Sequence, residues 1–143
     1  MVSFVAPLQW PAWSGSIKYD GTYSTETNCS NPNQDVIVQE WKVHESGTHT
    51  AVLDAELRHS PHCDTSWVRA KTLRAGITVT KEIRRPAGFL VLPTSWEIVT
   101  DQPTTLWTYG YQVYAPGCVD TKIVAKLGSK VVGTSTRLCS NTP

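Results

Sequence analysis

Several classes of protein are excluded by features that this chain of 143 residues lacks. No apolar run approaches the ~20 residues that a membrane-spanning helix requires, so membrane insertion is not expected. Thirteen Lys and Arg residues against twelve Asp and Glu residues leave a net charge of +1, whereas a nucleic-acid-binding surface needs an excess of basic residues. We therefore expect neither a nucleic-acid partner nor insertion into a bilayer.

Motifs of common catalytic chemistry are absent as well. The sequence contains no G-x-S-x-G nucleophile elbow and no glycine-rich phosphate loop. Ser60 follows His59 directly, but the sequence offers no evident acid to orient the imidazole. Asp54 and Glu56 are expected on the outward face of a strand, where carboxylates favour solubility. The sequence therefore predicts a protein that is not an enzyme and that has no catalytic residues and no cofactor.

Close-spaced C-x-x-C pairs, which are typical of structural zinc sites, are also missing. Pro61 separates two histidines of the densest cluster of metal-ligand types and prevents the helix that would bring them together. A turn that carries a disulfide-bonded cysteine is the preferred interpretation, and no metal is expected. A zinc site completed by Asp64 or His44 is the alternative. The other members of that cluster are His59, His62 and Cys63.

The hydrophobic period from about residue 17 onward is two, and no window of about twelve residues carries a helical stripe. Within residues 50–58, for example, Leu53 and Leu57 are expected to face inward, and Val52 and Asp54 outward. Only Thr65 to Leu73 could begin with a helical turn. We predict an all-β antiparallel sandwich or barrel that forms one domain over residues 17–143. The predicted strands are 36–44, 50–58, 66–73, 76–84, 88–92, 95–100, 105–115, 119–127 and 130–138.

Residues 1–16 are interpreted as an extended N-terminal arm, broken by Pro7 and Pro11. The arm lacks the basic start of a signal peptide, so we expect either that a leader was removed or that the protein leaves the cell by another route. Exposed apolar side chains usually mark contact sites, which predicts docking on a protein partner or on another copy of the chain. Closure of the arm over its own core is the alternative. The predicted contact residues are Phe4, Leu8, Trp10 and Trp13.

Four cysteines form an even set that predicts two disulfides and an oxidising compartment, although four cysteines allow three pairings. The two-residue loop Gly128–Ser129 would place Leu127 opposite Lys130 and fix the register of a hairpin. Counting outward pairs Asp120 with Arg137. It also places Thr134 and Thr136 on the core-facing side. The same count sets Cys118 opposite Cys139, and by elimination Cys29 pairs with Cys63.

Aromatic residues alternate along residues 107–113, where Trp107, Tyr109, Tyr111 and Val113 share one face of a predicted strand. A row of rings of this kind could stack on a sugar or bind another protein. The alternative interpretation is that these rings are large core residues of a sandwich.

Residues 19–69 resemble a domain family of unknown function from exported and membrane-tethered actinobacterial proteins. The family reads C-x-G-x-D-P-x-x-T-x-C and then L-R-Y-S-x-x-C-x-x-x-W-x-R. The chain matches the second block from Leu57 to Arg69, with His59 in place of Tyr, and keeps Gly21, Thr27 and Cys29 of the first. Tyr19 stands where the family has its first cysteine. The resemblance implies a small exported domain without catalytic residues.

Two functions remain in view. The first is a non-enzymatic structural or assembly protein exposed outside cells, such as a decoration protein on the surface of a virion. The alternative is a secreted module that binds carbohydrate or cell wall through its aromatic face. Both functions place the protein outside the cell.

Overall fold

The computed structural model describes residues 17–30, 35–86 and 95–139, which form a sandwich of two antiparallel sheets. One sheet has the order β1-β2-β3-β6, with β7 also paired to β3, and the other has the order β5-β4-β8-β9. The described residues contain no α-helix, only two short 3₁₀ turns, so the all-β prediction is confirmed. The strands are β1 (Val36–His44), β2 (Ala51–Ser60), β3 (Thr65–Thr72), β4 (Ile77–Arg85), β5 (Ser95–Asp101), β6 (Trp107–Tyr109), β7 (Val113–Tyr114), β8 (Asp120–Leu127) and β9 (Lys130–Arg137). In this part of the chain no helix has the length and apolar character needed to cross a bilayer.

The core lies between the sheets, where alternate residues of each strand meet. Leu53 and Leu57 of β2 are buried there as predicted, opposite Ile83 and Ile123 of the other sheet. Burial of apolar surface of this kind is the dominant force that holds a sandwich together. Val52, predicted on the outward face, is instead fully buried, at the point where the backbone at Leu73 returns to hydrogen-bond its carbonyl.

The predicted strand 66–73 is confirmed as β3, and the alternative of a helical turn at its start is wrong, because β3 pairs with β2 along its whole length. The predicted strand 105–115 is two short strands, because Gln112 leaves β3 and pairs with Thr22 instead. The predicted arm with Phe4, Leu8, Trp10 and Trp13, and the predicted strand 88–92, lie outside the described residues.

The β8–β9 hairpin begins in the predicted register and then departs from it. Leu127 pairs with Lys130, but a bulge sets Gly133 opposite Ala125 and shifts every later pair by one residue. A Cβ at Gly133 would lie 2.6 Å from the carbonyl oxygen of His44, so only glycine allows β9 to approach β1 this closely.

The shift reverses the two faces of β9 beyond the bulge. Thr134 and Thr136, predicted to face the core, are exposed. Arg137 pairs with Thr121 and stacks on the ring of Trp41, so the predicted pair with Asp120 does not form. Asp120 forms an ion pair with Arg84 instead.

Both predicted disulfides are present. Cys118 bonds to Cys139 across a Cα separation of 5.2 Å, even though the bulge removes the exact opposition on which the prediction rested. Cys29 bonds to Cys63 and fastens the N-terminal part of the domain to the β2–β3 turn. Two disulfides in one small domain are typical of proteins in an oxidising environment.

Residues 17–30, here called the N-terminal segment, close one side of the sandwich through a buried ion pair. The guanidinium of Arg85 on β4 is 2% exposed and donates to both carboxylate oxygens of Asp20, at 3.2 and 2.8 Å. The same carboxylate accepts a hydrogen bond from the amide of Tyr114. Gly21 follows with φ +76°, and a Cβ there would lie 2.9 Å from the carboxylate of Glu97.

A buried amide completes the attachment of the N-terminal segment. Gln112 is fully buried, and its Oε1 accepts a hydrogen bond of 2.7 Å from the hydroxyl of Thr65. Its Nε2 donates to the hydroxyls of Thr22 and Thr27, at 3.0 and 3.2 Å. The side-chain oxygen and nitrogen are thus both satisfied, which is the condition for burying an amide without a large loss of stability.

Candidate functional site

A cavity of about 250 Å³, here called the end cavity, opens at the end of the sandwich near the β2–β3 turn. Its walls include apolar side chains such as Leu57 and Val119, and its polar groups are His59, Asp64 and Ser66. The end cavity thus combines apolar walls with convergent polar groups, as small-molecule sites do.

The three polar side chains lie in a row, here called the relay. His59 near the end of β2 pairs directly with Ser66 near the start of β3, and Asp64 belongs to the turn between these strands. The imidazole Nδ1 lies 2.8 Å from the hydroxyl of Ser66, and Nε2 lies 3.0 Å from a carboxylate oxygen of Asp64. The β2–β3 hairpin therefore brings a hydroxyl and an imidazole into hydrogen-bond contact and places a carboxylate at ion-pair distance from the same ring.

The direction of the relay follows from the chemistry of its groups. An ionised carboxylate can only accept, so the tautomer of His59 that suits Asp64 is the one with its proton on Nε2. In the neutral ring Nδ1 is then an acceptor, and the hydroxyl of Ser66 donates to it. The order of hydroxyl, imidazole and carboxylate is that of the groups that activate a catalytic serine.

The turn that holds Asp64 is strained. Asp64 has φ +56° and is the sole residue other than glycine with positive φ among those described. Its amide donates to Ser60 at 2.7 Å, and its own carbonyl accepts from Ala115 at 2.8 Å. These two hydrogen bonds hold the backbone of Asp64 in place. Residues held in such conformations are enriched at functional sites, although aspartate tolerates this region better than most residues.

The serine considered from the sequence, Ser60, is not the one that contacts His59. Ser60 is buried, and its hydroxyl accepts a hydrogen bond from the amide of Cys63, so it caps the turn rather than contacting the imidazole. The expected lack of an acid for His59 is wrong as well, because Asp64 supplies one. The length of the turn could have identified Ser66 from the sequence. If the second strand begins at Thr65, Ser66 lies opposite His59.

The alternative zinc site at the same turn lacks its thiolate, since Cys63 is bonded to Cys29. Over residues 17–30, 35–86 and 95–139, no group of three or more His, Cys, Asp or Glu side chains could hold a metal ion.

The predicted aromatic row is divided by the fold. Trp107 and Tyr109 lie on the outer face of the five-stranded sheet, and the guanidinium of Arg69 sits 4.1 Å from the Trp107 ring centre. Tyr111 lies apart from them and packs on Tyr23, with ring centres 4.8 Å apart. Val113 is buried in the core.

Charged side chains continue the surface that Trp107 and Tyr109 begin. Glu56 accepts a hydrogen bond of 2.7 Å from Nε of Arg69 and a second one from Arg58. Desolvation raises the pKa of Glu56, but the two guanidinium groups outweigh it, so the pKa lies below its usual value. Glu56 is therefore ionised at neutral pH, and Arg69 is held in one orientation over the aromatic rings.

A groove of about 380 Å³ runs along this outer face, and we call it the aromatic groove. Trp107 lies on one side of it, and Glu40, Glu56 and the ion pair of Lys42 with Asp54 supply hydrogen-bonding groups along it. The lining of the aromatic groove combines two tryptophans, Trp41 and Trp107, with several donors and acceptors.

The outer face of the four-stranded sheet offers a different environment. Trp96 on β5 is 62% exposed, and its Nε1 donates to Glu82 at 3.0 Å. A hollow of about 120 Å³ lies beside it, lined also by Arg84 and Leu138. Trp96 thus provides a second outward tryptophan with no guanidinium stacked over its ring among the described contacts.

A buried lysine with its polar partners lies between the sheets. Lys81 of β4 is buried, and its ammonium contacts the carboxylate of Asp101 and the hydroxyl of Thr108, the latter at 3.0 Å. Burial lowers the pKa of Lys81, although Asp101 opposes the shift. These contacts tie β4 to β5 and β6 and open onto none of the three hollows described above. We therefore assign Lys81 to the architecture.

Comparison of the chain with family models, with curated proteins and with solved structures gives no match. The functional assignment therefore depends on the geometry of the two sites.

Proposed function

We propose that the protein is a secreted carbohydrate-binding module and that the aromatic groove is its binding surface. The observation that carries the proposal is the position of Trp107 beside a row of charged side chains on one open sheet face. Sugars present apolar C–H faces that stack on aromatic rings and hydroxyl groups that need donors and acceptors. Arg69 and Glu56 fix the groove in advance, which lowers the entropy lost on binding.

The disulfides support a location outside the cell, because two such bonds persist in oxidising compartments. The resemblance of residues 19–69 to an exported actinobacterial family points in the same direction. A binding module for cell-wall polysaccharide fits both observations.

The test is a sedimentation assay with insoluble peptidoglycan, chitin and cellulose. Wild-type protein is expected to bind at least one of them saturably, and Trp107→Ala to weaken that binding about tenfold or more, as for a central aromatic anchor. Trp96→Ala is the matched control, since it removes a more exposed tryptophan from the opposite face. Equal weakening by both variants, or absence of saturable binding by the wild type, would contradict the proposal.

A second candidate is an assembly protein exposed outside cells, for example at a virion surface. The observation that favours it is the start of β1, at the end of the five-stranded sheet, where Val36, Ile37 and Val38 are all more than 40% exposed. Consecutive exposed apolar residues on an edge strand promote pairing with another chain. Light scattering over a range of concentrations tests this candidate: Ile37→Lys should dissociate an oligomer, and a wild-type monomer at every concentration would exclude it.

A further inference from the structure

We propose that the end cavity is an acyl-transfer site in which Ser66 is the nucleophile, His59 the general base and Asp64 the residue that orients the base. The proposal is independent of carbohydrate binding by the aromatic groove. It rests on the relay distances of 2.8 and 3.0 Å and on the position of all three side chains along one cavity.

The burial of the three groups suits these roles. Ser66 is 4% exposed, so its hydroxyl is removed from bulk water while it borders the cavity. The side chains of His59 and Asp64 are 24% and 44% exposed, which leaves a path for water on the base side of the relay. A partly dry site strengthens each hydrogen bond within it.

We assign the role of stabilising the developing negative charge to the wall formed by residues 115–119. Gly117 and Cys118 border the cavity, and within the described part of the chain their backbone N–H groups form no hydrogen bond. Unpaired N–H groups of this kind stabilise an oxyanion in acyl-transfer enzymes. The disulfide of Cys118 with Cys139 restrains this wall.

The size of the cavity limits the substrate. A volume of about 250 Å³ is below the ~300–1,000 Å³ of sites that enclose drug-sized ligands. Apolar side chains such as Leu57 and Val119 line part of the cavity and suit a short aliphatic acyl chain. We infer an ester with a short acyl chain, with acetyl to butyryl esters as the class to test.

The reaction balances within the site. The Ser66 oxygen attacks the ester carbonyl carbon while its proton passes to Nδ1 of His59, and the carbonyl electron pair moves onto oxygen. The tetrahedral intermediate collapses, the ester C–O bond breaks, and the leaving alcohol takes the proton from Nδ1. Water then attacks the acyl carbon, gives its proton to His59, and releases the carboxylic acid as Ser66 recovers its hydrogen.

The first experiment is covalent labelling of the full chain with a fluorophosphonate probe, followed by peptide mapping by mass spectrometry. Modification at Ser66 is expected. Ser60→Ala is the matched control, because it removes a neighbouring buried hydroxyl that does not contact His59 and should leave labelling of Ser66 in place. Absence of labelling in the wild type, or labelling only at other positions, would overturn the proposal.

The second experiment measures hydrolysis of p-nitrophenyl acetate and butyrate. Ser66→Ala should abolish turnover above the buffer rate, and Asp64→Asn should lower kcat about 100-fold or more while keeping a side chain that tolerates positive φ. Thermal unfolding of each variant reports whether it folds. If Ser66→Ala fails to fold, the mapped label on the wild type decides the question alone. Wild-type activity equal to that of folded Ser66→Ala would refute the proposal.

Discussion

The side of the sandwich closed by the N-terminal segment and the open end near the β2–β3 turn use polar side chains in opposite ways. On the closed side, Asp20, Arg85 and Gln112 bind groups on separate elements and are buried or nearly so. At the open end, the side chains of His59 and Ser66 bond to each other within one hairpin and border a cavity. Because polar groups that join distant elements hold a fold together, the closed side should control stability and the open end should not.

The largest effect is expected for Asp20→Ala. The change leaves the charge of Arg85 buried without its carboxylate partner, which typically costs about 3–5 kcal/mol of unfolding free energy. Urea denaturation measures the loss. Asp54→Ala is the control, because it removes a carboxylate from the exposed pair with Lys42 and should cost less than about 1 kcal/mol. Equal losses for the two variants would remove the distinction between buried and exposed pairs.

Removal of each disulfide gives the next effect and compares the two regions again. The loops that the bridges close span 34 and 21 residues. The chain-entropy relation gives about 4 kcal/mol for the Cys29–Cys63 bridge and about 3 kcal/mol for the Cys118–Cys139 bridge. Double Cys→Ala variants, measured by urea denaturation, test the order, and a larger loss from the second pair would reverse it.

Gly133→Ala is expected to cost about 1–3 kcal/mol, because a methyl group at 2.6 Å from the carbonyl oxygen of His44 forces β9 away from β1. Ser135→Ala is the control, because Ser135 lies on the same strand and the change removes only a hydrogen bond from Trp41. No loss at Gly133 would show that the bulge relaxes without cost.

The smallest effect is expected at the open end. Ser66→Ala removes a hydroxyl whose partner, Nδ1 of His59, can accept from water in the cavity, so the unfolding free energy should change by less than about 1 kcal/mol. Thermal and urea denaturation measure this change. A loss as large as that of Asp20→Ala would mean that the relay holds the fold together.

The sequence predicted the individual strands better than the contacts between them. Period-two alternation gave the strands, since inward residues such as Leu53 and Leu57 recur at every second position. The bulge at Gly133 was not predicted. Gly133 packs against the carbonyl oxygen of His44 on β1, and a contact between residues so distant in the chain is not visible in the local pattern. The position of Tyr111 was mispredicted for a similar reason. Its neighbour Gln112 pairs with Thr22, about 90 residues earlier in the chain, and this pairing separates Tyr111 from Trp107 and Tyr109.

The candidate site shows the same limit. His59 was singled out from the sequence, but its partners depend on where the turn ends. Because a helical turn at Thr65 was kept as an alternative, the sequence did not fix Ser66 opposite His59. The contact between their side chains was therefore not predicted. Alternation alone placed Trp107 and Tyr109 on one face of a strand but left open whether that face was a surface or the core. The guanidinium of Arg69 over them required the register of β3 with β6.

Native-state amide hydrogen exchange by nuclear magnetic resonance tests the contrast between the two regions most directly. The amides of Gly21, Gln112 and Tyr114 donate hydrogen bonds on the closed side and should exchange only with a free energy close to that of global unfolding. Those of Gly117 and Cys118, on the cavity wall, should exchange with little protection. Rapid exchange on the closed side, or strong protection of the cavity wall, would contradict the assignment of stability to one region and chemistry to the other.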